Sequence, residues 1–131
     1  MGELQFQLLH LLWQVEAALP VAPDAAQRRR IADVAMELDA FEMLELSAIG
    51  TLPAGAAPGP LSSVLKLRAS RLKQGVAALG VELLGAAALR RPGGTRGDVL
   101  VTDYLNSRAA TIFGGTAEVQ LGIIAKSFAG I

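Results

Sequence analysis

The stretch that decides the fold reads YLNSRAATIFGGTAEVQ and spans residues 104–120. Its first part has the composition of a helix end, and Gly114-Gly115 interrupts that helix because glycine disfavours helix interiors. Thr116 carries the hydroxyl of a helix N-cap, and a new helix is predicted to run from it to Lys126. A glycine corner beside a helix N-terminus leaves backbone N–H groups free and lets a ligand approach closely. An ordinary turn between two packed helices is the alternative interpretation.

Segments upstream of this corner extend the pattern. The corner reads Gly-Gly-Thr-x-Glu-x-Gln over residues 114–120, GPLSSVLKL occupies residues 59–67, VELLG occupies residues 81–85, and a helical pattern covers residues 24–50. In this order the segments resemble the C-terminal helical domain of the acyl-CoA dehydrogenases. The resemblance covers about residues 24–131, and the corner motif is its most specific part.

Composition bounds the kind of protein. The chain has 131 residues, enough for one domain with a hydrophobic core and too few for two. Hydrophobic residues make up 52%, and the mean hydropathy of +0.42 is high for a soluble protein. Some apolar surface is therefore expected to meet a partner. Twelve basic residues balance twelve acidic ones, which gives no reason to expect nucleic acid or an anionic membrane.

Missing residue types exclude several chemistries. The chain has no cysteine, which excludes disulfides, thiolate metal sites and a cysteine nucleophile. His10 is the single histidine, so a histidine-based metal site or catalytic triad is not expected. No apolar run reaches the roughly 18 residues of a membrane span, and the start MGE lacks the basic residues of a secretory signal. We expect a cytoplasmic protein that binds neither nucleic acid nor a membrane.

Helical spacing predicts the first two helices. The first covers residues 3–19 with an apolar stripe of Leu4, Leu8, Leu11, Leu12, Val15 and Leu19. Phe6 and Trp13 lie off this stripe, so the helix is apolar on more than one side.

Asp24 and Gln27 form a capping-box pattern that begins the second helix, which runs to about Ile49. Its predicted buried face consists of Ile31, Val34, Ala35, Leu38, Phe41 and Leu46. Gly50 is expected to end the helix in the left-handed conformation, and the arginines at 28–30 suggest a solvated face or an anion contact.

Two further helices lead to the corner. The third is predicted over about residues 61–84, and Gly85 caps its end. Its apolar stripe consists of Leu61, Val64, Leu65, Leu72, Val76, Leu79 and Leu83. Residues 90–97 are a basic, glycine-rich connector without the Gly-Lys-Ser/Thr ending of a P-loop. Asp98 is predicted to cap the fourth helix, which runs to about Phe113. Its inward residues are predicted to be Val101, Tyr104, Leu105, Ala109 and Ile112.

The predicted fold is all-α. We expect an antiparallel four-helix bundle with a short extra C-terminal helix, forming one domain over residues 1–131. No stretch of the sequence predicts a strand.

The resemblance implies a chemistry. In the family, a flavin takes a hydride from the β-carbon of an acyl-CoA thioester while a glutamate removes the α-proton. Many members place that glutamate where this chain has Gly114, so the resemblance assigns no catalytic residue here. It implies cofactor contacts at Thr116 and Glu118 and, for the flavin of a neighbouring subunit, at Glu82 and Gly85.

Two departures from the family pattern bear on flavin binding. The segment around Gly85 usually reads Gln-x-x-Gly-Gly in the family, whereas here Glu82 replaces the glutamine and Ala86 replaces the second glycine. A carboxylate repels a flavin pyrophosphate, and a methyl group restricts close backbone approach.

Two functions follow as alternatives. The first is the C-terminal domain, or a short subunit, of an acyl-CoA dehydrogenase in fatty acid metabolism. It would bind FAD only with the missing domains or a partner, which is itself or a related acyl-CoA dehydrogenase subunit, and acyl-CoA would be the substrate of the full assembly. The second is a non-catalytic helical interaction module of the same fold without flavin. In either case this segment alone is expected to be inactive.

Overall fold

The structure, a computed structural model, describes residues 2–18, 21–56, 59–89 and 96–130. Five α-helices and no strand occur within these ranges. The helices are α1 (Glu3–Ala18), α2 (Ala25–Gly50), α3 (Pro60–Leu84), α4 (Arg96–Ser107) and α5 (Ala117–Ile124). A 3₁₀ segment follows α3 over Gly85–Leu89, another follows α4 over Arg108–Thr111, and a π-helical turn follows α5 over Ala125–Ala129. The predicted all-α bundle with a short extra C-terminal helix is confirmed.

Helix α3 is the centre of the bundle. It packs against α1, α2, α4 and α5, and most of its predicted apolar stripe lies in the core. The core side chains that it contributes include Leu72, Val76, Leu79, Leu83 and Leu84. Because every other helix borders α3, its two ends bring together residues that are far apart in the sequence.

Helix α1 covers one side of the bundle with the stripe that its spacing predicts. Leu8, Leu11 and Val15 are buried, and Leu4 and Leu12 are partly buried against them. Leu19 and Pro20 lie outside the described residues. Phe6 and Trp13 are exposed on the opposite side, as the sequence predicts.

Helix α2 begins as predicted and ends differently. Asp24 accepts from the Gln27 backbone N–H, and the Gln27 side chain accepts from the Asp24 N–H, which confirms the capping box. The prediction that Gly50 ends the helix in the left-handed conformation is wrong. The helix ends at a right-handed Thr51, whose N–H and hydroxyl satisfy carbonyls of the last turn. Leu46 is 58% exposed rather than buried, and Ala48 takes the core position because it lies on the same side of the helix as Phe41.

Helix α4 starts earlier than predicted. It begins at Arg96, so the predicted N-cap Asp98 lies inside the first turn. Residues 90–95 of the predicted connector lie outside the described residues. Leu105 and Ile112 are each 63% exposed, contrary to the prediction. Among residues 99–113, Leu100 and Ser107 are buried, seven positions apart on one face.

Candidate functional site

The glycine corner forms where the sequence predicts it. After the 3₁₀ segment, the N–H groups of Ile112 and Phe113 both donate to the Ala109 carbonyl at 2.9 Å. Gly114 and Gly115 then adopt φ of +66° and +102°. Residues with a Cβ avoid these left-handed conformations, so the two glycines turn the chain sharply from α4 towards α5.

Thr116 caps α5 and faces Glu118. The Thr116 hydroxyl oxygen accepts from the Val119 N–H at 3.3 Å, which confirms the predicted N-cap. Glu118 is exposed in the first turn of α5. Its own backbone N–H, followed by the Thr116 hydroxyl, lowers the pKa of the Glu118 carboxyl. The corner therefore presents an ionised carboxylate and a hydroxyl at the start of a helix.

Helix α3 holds the corner through two side chains that the sequence analysis missed. The Lys66 ammonium donates to the Gly115 carbonyl. The Gln74 amide donates to the Ser107 carbonyl at 3.0 Å and to the Arg108 carbonyl at 3.2 Å, and the Arg108 guanidinium donates back to the Gln74 carbonyl at 3.2 Å. These partners lie 33 to 49 residues apart, so no local sequence pattern marks them.

A side chain at Gly115 would also displace the end of a neighbouring side chain. A Cβ at this position would lie 2.6 Å from Nε2 of Gln120, and Gln120 is buried. At Gly114 a Cβ would meet only Cε of Lys66, at 3.8 Å. Gly114, where the family resemblance leads one to expect a glutamate, therefore lies next to the Lys66 side chain and has no proton acceptor of its own.

Glu82 and Gly85 lie at the other end of α3. Arg30 of α2 donates from Nε to Oε2 of Glu82 at 3.2 Å and from a terminal nitrogen to Oε1 at 3.3 Å. This hydrogen-bonded ion pair raises the pKa of the Arg30 guanidinium. Gly85 ends the helix with φ of +56°, and its N–H donates to the carbonyls of Val81 and Glu82. Arg30, one of the three arginines at 28–30, thus pairs with the carboxylate that stands where the family resemblance leads one to expect a glutamine.

The two halves of the candidate cofactor site are separated within one chain. Lys66, which touches the corner, and Glu82 are 16 residues apart on α3, about 24 Å at 1.5 Å per residue. Thr116 and Glu118 therefore lie at one end of the bundle, and Glu82 and Gly85 lie at the other.

Two open cavities adjoin Phe113, which is 63% exposed. One, of about 310 Å³, lies between α1, α3 and α4 and is lined by polar side chains that include His10, Lys73 and Asp103. The other, of about 340 Å³, is lined by residues that include Lys66 and Ser70.

Among the described residues, no three histidine, aspartate or glutamate side chains lie close enough to hold a metal ion. No helix in the described ranges is long and apolar enough to span a bilayer.

Comparisons with known proteins agree with this architecture. The family model described as acyl-CoA dehydrogenase, C-terminal domain, matches residues 4–129. The chain is 29% identical over 131 residues to the acyl-CoA dehydrogenase FadE34 of Mycobacterium tuberculosis, in an alignment that covers 100% of this chain and 17% of the relative. The chain thus spans about a sixth of the length of that relative. No solved structure matches the chain.

Proposed function

Because the chain belongs to the acyl-CoA dehydrogenase C-terminal domain family, we propose that residues 1–131 form one helical domain of a flavin-dependent acyl-CoA dehydrogenase. The domain acts as the C-terminal part, or as a short subunit, of an assembly that oxidises the α,β-bond of an acyl-CoA thioester. Its role is to supply contacts between subunits and part of the flavin site.

The corner carries this proposal. Thr116 and Glu118 are fixed at the start of α5 by the turn at Gly114 and Gly115, and Lys66 holds that turn from α3. A hydroxyl and a carboxylate at an exposed helix N-terminus are suited to hydrogen bonds with a polar ring system. When FAD is bound in the assembly, it would supply the hydride acceptor, and Thr116 and Glu118 would orient it.

The other end of α3 is compatible with a second flavin contact. An unpaired Glu82 would repel a pyrophosphate, but the Arg30 guanidinium already neutralises that carboxylate at 3.2 Å. The turn at Gly85 is exposed, so its backbone is accessible to a cofactor held by another subunit. The two ends are about 24 Å apart along α3, and the family resemblance assigns the contact at Glu82 and Gly85 to the flavin of a neighbouring subunit.

The corner by itself supplies no base for the α-proton. Gly114 has no side chain, and the ammonium of its neighbour Lys66 already donates a hydrogen bond to the Gly115 carbonyl. We therefore propose that the isolated domain is inactive, and that the rest of the assembly provides the base, the acyl-CoA pocket and most of the flavin contacts. The partner is another copy of this chain or a related acyl-CoA dehydrogenase subunit.

Isolation of the native assembly tests the proposal. The polypeptide is purified from its source cells under native conditions with the subunits that bind it, and its visible absorption is recorded. We expect yellow flavin absorbance, and we expect Thr116→Ala to lower the flavin content relative to the matched control Thr102→Ala on α4. A colourless assembly that is otherwise intact would contradict the proposal.

A second candidate is a helical interaction module without flavin. Gly114 in place of the glutamate and Ala86 in place of a glycine favour it, because the first removes the base and the second limits backbone approach. The same experiment distinguishes the two functions, since this module would form a colourless complex.

A further inference from the structure

The side chain of Gln120 turns back from α5 into the glycine corner. Gln120 is 8% exposed, and a Cβ on Gly115 would lie 2.6 Å from its Nε2 and 3.8 Å from its Cδ. The amide nitrogen therefore lies in the space that a side chain at Gly115 would fill. The Gln120 backbone N–H donates to the Thr116 carbonyl at 3.0 Å, which fixes the point from which this side chain extends.

The Gln120 amide has no hydrogen-bond partner within the part of the chain that the structure describes. Every fully enclosed side-chain nitrogen and oxygen in that part does have a partner, so the amide of Gln120 keeps a small opening to the surface. Polar groups that are so nearly covered are usually paired, and a carboxamide offers two N–H donors and a carbonyl acceptor. The corner thus contains an unused amide that is covered on most sides and open at its polar end.

The backbone donors around this amide are already occupied. The Val119 N–H donates to the Thr116 hydroxyl at 3.3 Å, and the Glu118 N–H stabilises the carboxylate of its own side chain. Helix N-termini often bind phosphate, but here the negative charge of Glu118 repels an anion. The neutral amide of Gln120 is therefore better suited to an uncharged ligand.

We propose that Gln120 is a further binding residue of the corner, and that its amide pairs with the edge of an uncharged heteroaromatic ring that carries an N–H donor beside an acceptor. A carboxamide is complementary to such an edge, as in the pairing of glutamine with N6 and N7 of adenine. The isoalloxazine and adenine rings of FAD both have edges of this kind. A flat ring can approach because Gly114 and Gly115 present no side chain. The choice of these two rings rests on the proposed function, whereas the assignment of Gln120 rests on its burial and its unpaired amide.

A binding role and a structural role predict different effects of removing the amide. Gln120→Met keeps an unbranched side chain of similar length and removes its polar end. Because the amide has no partner in the described chain, we expect the Tm of this variant to be unchanged or higher, since burying an unpaired polar group is unfavourable. A marked fall in Tm would show that the amide holds the fold together, and it would overturn the proposal.

Titration of the 131-residue chain with two probes identifies the ring. FMN carries the isoalloxazine and AMP carries the adenine, each with one phosphate, and ribose 5-phosphate is the control without a ring. The side-chain amide resonances of Gln120 are followed by NMR as each probe is raised to about 10 mM, which covers the affinity of a weak fragment. We expect a ring-bearing probe to shift these resonances. A response to FMN alone assigns the isoalloxazine, a response to AMP alone assigns the adenine, and a response to both supports the shared edge.

Two results of this titration would overturn the proposal. Absence of a shift with either ring-bearing probe would mean that water alone satisfies the amide. An equal shift with ribose 5-phosphate would mean that the corner binds the phosphate group and not the ring.

A matched pair of variants tests the amide itself. In Gln120→Met, binding of the active probe is measured at the backbone amides of the first turn of α5, and it should weaken about fivefold to tenfold, the contribution of about one hydrogen bond. Gln14→Met makes the same exchange on α1 and should leave the affinity unchanged. Full affinity in Gln120→Met, or an equal loss in both variants, would contradict the proposal.

The result is separable from that of the proposed function. A colourless native assembly, together with a response of Gln120 to AMP, refutes the flavin role and leaves Gln120 assigned as a binding residue. A yellow assembly, together with no response of Gln120 to either ring, refutes the role of Gln120 alone.

Discussion

At the residue scale, the two corner glycines are needed for different reasons. Both have positive φ, so alanine at either position incurs the left-handed penalty of about 1–2 kcal/mol. Only at Gly115 does a Cβ also come within 2.6 Å of Nε2 of the buried Gln120, so the end of that side chain has to move and its buried amide has to be accommodated elsewhere. We expect Gly115→Ala to lower the free energy of unfolding more than Gly114→Ala in urea denaturation. Equal losses would show that Gln120 moves away freely.

Substitution of Thr116 is expected to change both the stability of α5 and the pKa of Glu118. Thr116→Ala removes the N-cap of α5 and should cost about 1 kcal/mol in the free energy of unfolding. It should also raise the pKa of Glu118 towards its ordinary value, because the hydroxyl no longer stabilises the carboxylate. Carboxyl titration by NMR and thermal unfolding measure these effects. The exposed Thr102→Ala serves as the control, and an unchanged Glu118 titration in Thr116→Ala would contradict the assignment.

The sign of the pH dependence follows from the lowered pKa of Glu118. A carboxyl whose pKa is lower in the folded state stabilises the fold at pH values above its unfolded-state pKa. That contribution is lost as the pH falls through the folded-state pKa. We expect acid titration to weaken the first turn of α5, and Glu118→Gln to remove this part of the acid sensitivity. Amide hydrogen exchange at residues 117–120, measured above and below the transition, checks the prediction.

At the element scale, α3 contains a matched pair of glycines. Gly75 has open space where a Cβ would lie, whereas a Cβ at Gly80 would be 2.9 Å from Cδ1 of Leu11 in the core between α1 and α3. Gly75→Ala should stabilise the protein by about 0.5–1 kcal/mol because alanine favours helices. Gly80→Ala should destabilise it by about 1–3 kcal/mol. Chemical denaturation of the two variants measures both changes, and the same sign for both would show that α1 can shift away from α3.

The sequence predicted the helices better than their ends. The helical spacing of apolar residues and the capping residues were sufficient to predict α1, the capping box of α2 and the apolar stripe of α3, because those signals are local. The predicted burial of Leu46 and Leu105 was wrong because apolar character does not show which side of a helix meets the core, and both face solvent. The predicted burial of Ile112 was wrong because the helical segment ends at Thr111, so that Ile112 lies in the turn and is exposed. The prediction of a left-handed Gly50 was wrong because Thr51 satisfies the terminal carbonyls of α2 without a left-handed residue.

The site was predictable only in part for a similar reason. Gly114, Gly115 and Thr116 form a continuous local motif, and the structure places them as expected. Lys66 and Gln74 hold that motif from a different helix, and only the folded arrangement reveals such distant partners.

At the scale of the whole molecule, α3 separates two ends that should behave independently. The corner and the Arg30–Glu82 pair are about 24 Å apart along the helix, and sites at that distance usually have additive effects. We expect the changes in Tm caused by Thr116→Ala and Glu82→Gln to sum in the double variant. Calorimetry of the four proteins measures this, and a clear departure from additivity would indicate coupling through α3.

The connection of the corner to α3 has a dynamic consequence. Lys66 and Gln74 reach the corner with side chains, whereas the core of the bundle is held by packed leucines. Breaking a few such hydrogen bonds exposes little apolar surface, so the segment from 107 to 116 can open locally while the bundle stays folded. A flavin or a partner subunit that binds the corner would then order this segment, and the conformational entropy lost in that step would reduce the affinity.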